Sequence, residues 1–214
     1  KAAELMGTVH FDACLRYLRE DPWERIRLLA EAMPNTPLRA LIRSKSLTSF
    51  NIVPDAVIKL WIERCAANGI KHLMIFDALH DWNNLSKSVA VAKAVGIEVV
   101  VPLVYSLSPV HTDEFYARKT AEMIEALNPD SVMIKDSIGL LTPERTKTLV
   151  PTIKGQIGDL PLEMHSHCTT GLAPLCCLDS VALGVDIIDT CVSPLANGPS
   201  HPSIENMIMN LRRL

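Results

Sequence analysis

Short apolar runs rich in β-branched residues recur along the chain from about residue 38 onward, each followed by a polar loop and then by apolar positions at helical spacing. The runs are Leu38 to Ile42, His72 to Phe76, Glu98 to Val104, Ser131 to Ile134, Leu162 to His165 and Asp186 to Ile188. Between them, helices are predicted over Asp55 to Asn68, Leu85 to Val95, Asp113 to Leu127, Pro143 to Lys154 and Leu172 to Leu183. Their ends carry start and stop chemistry. Pro54-Asp55 and Thr142-Pro143-Glu144 put a proline and an acid in first turns, while Gly69, Gly96 and Gly184 supply the left-handed residue that closes a helix. In the first of these helices Val57, Leu60, Trp61 and Cys65 recur near helical spacing and are expected to form its buried face.

Strands that begin roughly every 30 residues with helices between them are joined by crossovers, so they pair in parallel and the fold class is α/β. A closed barrel and an open doubly wound sheet share this period. No G-x-G-x-x-G follows any run and no Walker motif occurs, which disfavours a nucleotide-binding open sheet. A weaker run, Glu4 to Val9, precedes a helical pattern over Asp21 to Met33. It brings the expected strands to seven, whereas a TIM (β/α)8 barrel has eight. The expectation is one barrel-type domain over residues 1–214, partial at its N-terminus because the first βα unit is absent, and closing on a helix over Ser203 to Leu214.

The 214 residues are 48% hydrophobic and carry 21 Lys+Arg against 24 Asp+Glu, a formal net charge of -3. Near-neutral charge without a basic block argues against nucleic acid or an anionic membrane as the main partner. No apolar run approaches the roughly 18 residues of a membrane span, and the first residues lack the charged-then-apolar order of a signal peptide. A cytoplasmic protein is expected. Cys14, Cys65, Cys168, Cys176, Cys177 and Cys191 form no C-x-x-C pair and are read as reduced residues, mostly of the core.

In parallel α/β folds, functional groups collect at the C-terminal ends of strands. Here those positions hold Arg43, Asp77, Lys135 with Asp136, His165 with His167, and Asp189. Residues i and i+2 of a strand share a side, so His165 and His167 can converge on a divalent metal; the competing reading is two hydrogen-bonded histidines. Lys135 ends an apolar run, where three fates stand open: a Schiff-base nucleophile, a salt bridge to Asp136 or another acid, or carbamylation by CO2 to a metal-binding carboxylate. Arg43 offers a planar fork to a substrate carboxylate, or an ion pair to an acid such as Asp77. Asp77 and Asp81 are read as rim hydrogen-bond acceptors or helix caps, with a structural role favoured for both. His72, His80, His111 and His201 are isolated in sequence and are assigned no chemistry.

Several segments, taken in order, carry a resemblance. They are Phe11-Asp12-Ala13-Cys14-Leu15-Arg16, Glu20-Asp21-Pro22-Trp23-Glu24-Arg25, Ala32-Met33-Pro34-Asn35-Thr36-Pro37, Phe76-Asp77-Ala78-Leu79, Tyr105 to Thr112, Ile134-Lys135-Asp136, Gly139-Leu140-Leu141 and His165 to Gly171. Together they strongly resemble the carboxyltransferase domain shared by pyruvate carboxylase, the oxaloacetate decarboxylase α subunit and the transcarboxylase 5S subunit. The resemblance implies a TIM barrel with a divalent metal, zinc, manganese or cobalt, held by carbamylated Lys135, by His165 and His167, and by an aspartate on the first strand. It further implies that Arg43 binds a keto acid, that Asp12 lies near the mouth of the site, and that Lys135 and Arg43 are catalytic. The implied reaction moves CO2 between biotin carried on a partner domain and pyruvate or oxaloacetate, in a homodimer or larger complex. No Met-Lys-Met biotin-attachment segment occurs in this chain.

The chain departs from the family pattern in places. The family's R-G-Q-N is Arg43-Ser44-Lys45-Ser46, the tyrosine seven residues after the arginine is Phe50, and W-G-G-A-T is Met6-Gly7-Thr8-Val9-His10. The T-S-Q-P-S stretch, whose threonine moves a proton, is Pro199-Ser200-His201-Pro202-Ser203. Two other readings share the barrel: metal-dependent lyases and acyl-CoA condensing enzymes, which do not call for a lysine ligand, and a non-catalytic scaffold subunit.

Overall fold

The structure, a computed structural model, describes residues 2–47 and 51–213, so Phe50 lies outside the described residues. Strand and helix alternate throughout, and the chain divides into two compact units, residues 1–101 with 126–130 and residues 102–125 with 131–214.

The first unit contains β1 (Ala3–Met6), α1 (Thr8–Ala13), α2 (Pro22–Ala32), β2 (Leu38–Arg43), α3 (Asp55–Ala67), β3 (Ile70–Phe76), α4 (Asn83–Ala94) and the start of β4 (Glu98–Val104). Its strands lie in the order β1-β2-β3-β4, all parallel, with Ile42 opposite Ile75 and Arg43 opposite Phe76. Buried parallel strands need apolar residues on both faces. Thus Leu73, Met74, Ile75, Val99 and Val101 are all at 0% exposure.

Two sequence expectations change here. The first strand stops at Met6 rather than Val9, because Gly7 starts a helix and the His10 ring turns back to accept its N–H at 2.9 Å. That helix continues into a π-helical turn, Cys14–Leu18, closed by Arg19 in the left-handed region at φ 56°. In α3 the buried face is Ile58, Trp61, Ile62 and Cys65, whereas Val57 and Leu60 are 45% and 58% exposed. Both sets have helical spacing. They share Trp61 and Cys65, and Trp61 packs with Phe11 and Trp23, at centroid distances of 6.0 and 6.2 Å.

The second unit contains the end of β4, most of α5 (Asp113–Leu127), β5 (Ser131–Asp136), α6 (Pro143–Ile157), β6 (Leu162–Ser166), α7 (Ala173–Ala182), β7 (Ile187–Ile188) and α8 (Ile204–Leu211). Its three whole strands are parallel in the order β5-β6-β7. Every residue of β5 and β6 is buried. The polar ones survive there by pairing, as where Ser131 donates to Glu163 at 3.0 Å. Helix α6 starts as its sequence predicts, with the Thr142 hydroxyl accepting from the Arg145 N–H and Pro143 in the first turn.

All six cysteines are free thiols, and all but Cys191 are buried. Among the described residues, no helix is long and apolar enough to cross a membrane.

Candidate metal centre

Strands β5 and β6 pair so that Lys135 lies opposite His165 and Asp136 opposite Ser166. Alternation along a strand sends neighbours to opposite faces, which separates the two chemistries of Lys135-Asp136. On one face, the buried Lys135 nitrogen Nζ lies 3.0 Å from Nε2 of His165. On the other, the Asp136 carboxylate accepts from the N–H groups of Gly139 and Leu140 at 2.9 Å each, from Leu141 at 3.0 Å and from the Ser166 hydroxyl at 2.8 Å. Asp136 is therefore the anchor of the loop after β5.

That loop crosses the next one at close quarters. Gly139 sits at φ +76°, and a Cβ built on it would come within 2.2 Å of the His167 carbonyl oxygen. Only glycine fits both the left-handed backbone and the space. Gly139→Ala is expected to lower unfolding stability by about 2 kcal/mol and to displace His167. Denaturant unfolding checks this, and an unchanged midpoint would contradict it.

The histidines follow. His165 is buried, its Nδ1 2.7 Å from the Asp189 carboxylate at the end of β7. Burial, reinforced by the nearby Lys135 charge, pushes its pKa down to about 3 although Asp189 pulls the other way. His167 hydrogen-bonds through Nδ1 to the Pro199 carbonyl at 2.5 Å, and burial lowers its pKa as well. His201 hydrogen-bonds through Nδ1 to the Ser166 carbonyl at 3.0 Å. The ligand atoms of these three histidines all lie within 4.8 Å of one another.

Carbonyl and carboxylate oxygens only accept, so Nδ1 carries the proton in each neutral ring. Each Nε2 is then a lone-pair donor. Orientation of a ligand histidine through its other nitrogen is the usual support of a metal site, and this donor set suits zinc, cobalt or manganese. The residues present fit a divalent ion.

His165 and His167 converge as their spacing predicts, and Lys135 joins them. His201 and Asp189 complete the arrangement. His201, assigned no chemistry from the sequence, stands beside the pair: it lies far from them in sequence, but the segment from Asn197 to Pro202 folds back on β6. Its signal was the proline-flanked Pro199-Ser200-His201-Pro202 stretch. Asp189 was legible only as a strand-end acid.

Arg43 and Asp12 belong to the first unit. Arg43 ends β2, followed by Ser44 and Leu47 in left-handed conformations at φ 43° and 45°. Asp12 lies on α1 and pairs with Arg16 at 2.9 Å. Asp77 accepts from the Leu79 and Asp81 N–H groups and from the Asn84 side chain, and Asp81 from the Asn83 N–H, so both hold together the loop before α4, whose N-cap position is Trp82.

Parallel strands alternating with helices, with polar groups gathered at strand ends, define an α/β scaffold of the kind that barrels and open sheets share. The chain belongs to the HMGL-like family, whose pattern matches residues 71–214. A pyruvate carboxylase subunit of Methanocaldococcus jannaschii is 42% identical over 209 residues, covering 98% of this chain and 36% of that protein. The 2-oxoglutarate carboxylase large subunit of Hydrogenobacter thermophilus is 37% identical over 211 residues, covering 98% of this chain and 32% of that protein. The carboxyl transferase domain of Rhizobium etli pyruvate carboxylase, solved with 3-bromopyruvate, superposes with a TM-score of 0.94 at 29% identity, over 98% of this chain and 36% of that one. The fold is thus of the TIM-barrel carboxyltransferase type. The chain spans about a third of the length of these relatives.

Proposed function

We propose that this chain forms part of a biotin-dependent carboxyltransferase that moves a carboxyl group between biotin on a carrier domain and a 2-keto acid such as pyruvate or oxaloacetate. The observation that carries the reading is the convergence of Lys135, His165 and His167, with each histidine held through Nδ1 by an acceptor. Relatives named as pyruvate and 2-oxoglutarate carboxylases support the substrate class.

In the transfer, the carbon beside the keto acid's carbonyl loses a proton and bonds to the carboxyl carbon. The N–C bond of carboxybiotin breaks, and the biotin nitrogen takes up a proton. Lys135, His165 and His167 would hold a divalent ion, which when bound supplies Lewis-acid polarisation of a carbonyl. Asp189 keeps the His165 ring in the ligating tautomer and orientation. Lys135 is assigned to carbamylation: an uncharged amine adds CO2, releases a proton and becomes the anionic oxygen donor that a dication prefers. Arg43 is assigned to the keto-acid carboxylate, whose two oxygens its fork matches. The Ile134-Lys135-Asp136 motif favours carboxyl transfer over the lyase and condensing reactions, and the organised donor set disfavours a scaffold.

The test is oxaloacetate decarboxylation by the full-length protein with and without biotin. Biotin-stimulated turnover is expected, and turnover indifferent to biotin would overturn the reading. Arg43→Ala should raise KM for the keto acid about 10- to 100-fold, the equivalent of one or two charge-assisted hydrogen bonds. Unaltered keto-acid kinetics would remove Arg43 from the substrate site.

A further inference from the structure

We propose that His201 is a third imidazole ligand of the metal centre, so that residues 135–201 supply four donors: Lys135 and Nε2 of His165, His167 and His201. The inference rests on the metal-binding reading above and adds a residue to it.

The geometry of the rings comes first. The His201 ring stands 4.3 Å from that of His165 and 4.6 Å from that of His167, closer to each than the two are to one another at 5.3 Å. The three rings thus form a compact triangle, with His201 at its third corner.

The proton inventory comes second. Hydrogen-bonded histidine clusters ordinarily hold together by an N–H of one ring meeting a lone pair of the next. Here the Nδ1 proton of every ring is committed elsewhere, to Asp189, to the Pro199 carbonyl and to the Ser166 carbonyl. In a neutral ring so bonded the lone pair is left on Nε2, that of His165 lying 3.0 Å from Lys135 Nζ, and the three rings offer ligand nitrogens within 4.8 Å of one another, a gathering that a cation stabilises.

The backbone around His201 is built for one position. Asn197 takes φ 68° and its N–H donates to the His201 carbonyl at 2.8 Å, while Ser200 N–H returns to Asn197 at 2.9 Å. The Ser200 carbonyl accepts from Cys168 at 2.8 Å, and the Pro202 carbonyl accepts from Cys191 at 2.9 Å. Pro199 and Pro202 further restrict the turn. A ring delivered by a turn fixed at both ends is preorganised, as a metal ligand requires.

The experiment uses the full-length protein stripped of metal by a chelator and titrated with Co(II), following the visible d–d absorption and the heat of binding. For His201→Ala, affinity should fall at least 10-fold and the absorption should change in intensity and position, because one nitrogen donor has been lost. Added imidazole should restore the wild-type spectrum, which distinguishes a lost ligand from a disturbed loop. His201→Gln, which keeps the size of the side chain, should show the same loss and guards against a folding defect in the alanine variant. Affinity within twofold of wild type together with an unchanged cobalt spectrum in both variants would overturn the role of His201 while leaving the centre intact. A wild-type protein that takes up no cobalt would overturn the centre itself.

Discussion

Replacing Asp136 with alanine is expected to lower the unfolding free energy by about 4 kcal/mol, a loss at the exceptional end for single substitutions. The carboxylate is at 0% exposure and receives four hydrogen bonds, three from consecutive backbone N–H groups of residues 139–141 and one from the Ser166 hydroxyl. A charged acceptor roughly doubles the strength of each bond, and removing it strands donors that are largely out of reach of water. The same residue's carbonyl accepts from the His167 N–H at 3.1 Å, so the loop after β5 and the histidine strand end are tied at one point. Asp136→Asn should cost less, because the amide keeps one acceptor oxygen. Equilibrium denaturation measures both. An alanine variant within about 1 kcal/mol of wild type would mean that the loop finds its own partners.

The second large effect belongs to His165. His165→Ala should weaken binding of a divalent metal by at least about 100-fold, since it removes a ligand and strands its support. Asp189, which holds its ring, would be left beside a cavity. Lys135 would lose the imidazole nitrogen 3.0 Å away. Calorimetric titration of the stripped full-length protein reads the change. Equal affinity in the variant would remove His165 from the centre.

Much of this architecture was legible because parallel β/α units announce themselves. The apolar runs at Glu98 to Val104 and Ser131 to Ile134 have no alternation, which is what burial on both faces requires, and the helix Asp113–Leu127 begins and ends where its acidic first turn and its apolar period place it. The failures are equally physical. Helix α1 was hidden by the β-branched Thr8-Val9 pair and exists because Gly7 and His10 cap it. The buried arc of α3 was half right, Trp61 and Cys65 lying in it while Ile58 and Ile62 take the places expected for Val57 and Leu60, because neighbouring arcs both fit the helical period.

The centre was partly legible for the same kind of reason. His165-Ser166-His167 exposes its meaning because a strand's two-residue repeat is local. His201 is marked locally by nothing but its flanking prolines, since it reaches the pair only through the turn that folds residues 197–202 back onto β6. Of the fates open to Lys135, a salt bridge to Asp136 is disfavoured by the strand itself, because adjacent strand residues face opposite ways.

The most direct measurement is metal binding by the stripped full-length protein in CO2-depleted buffer and again with bicarbonate, in wild type and Lys135→Ala. Carbamylated Lys135 requires that bicarbonate tighten zinc binding by wild type about 10-fold or more, at about one ion per chain, and that Lys135→Ala bind weakly and ignore bicarbonate. Equal zinc affinity in both proteins, with or without bicarbonate, would contradict a metal held by the carbamate of Lys135.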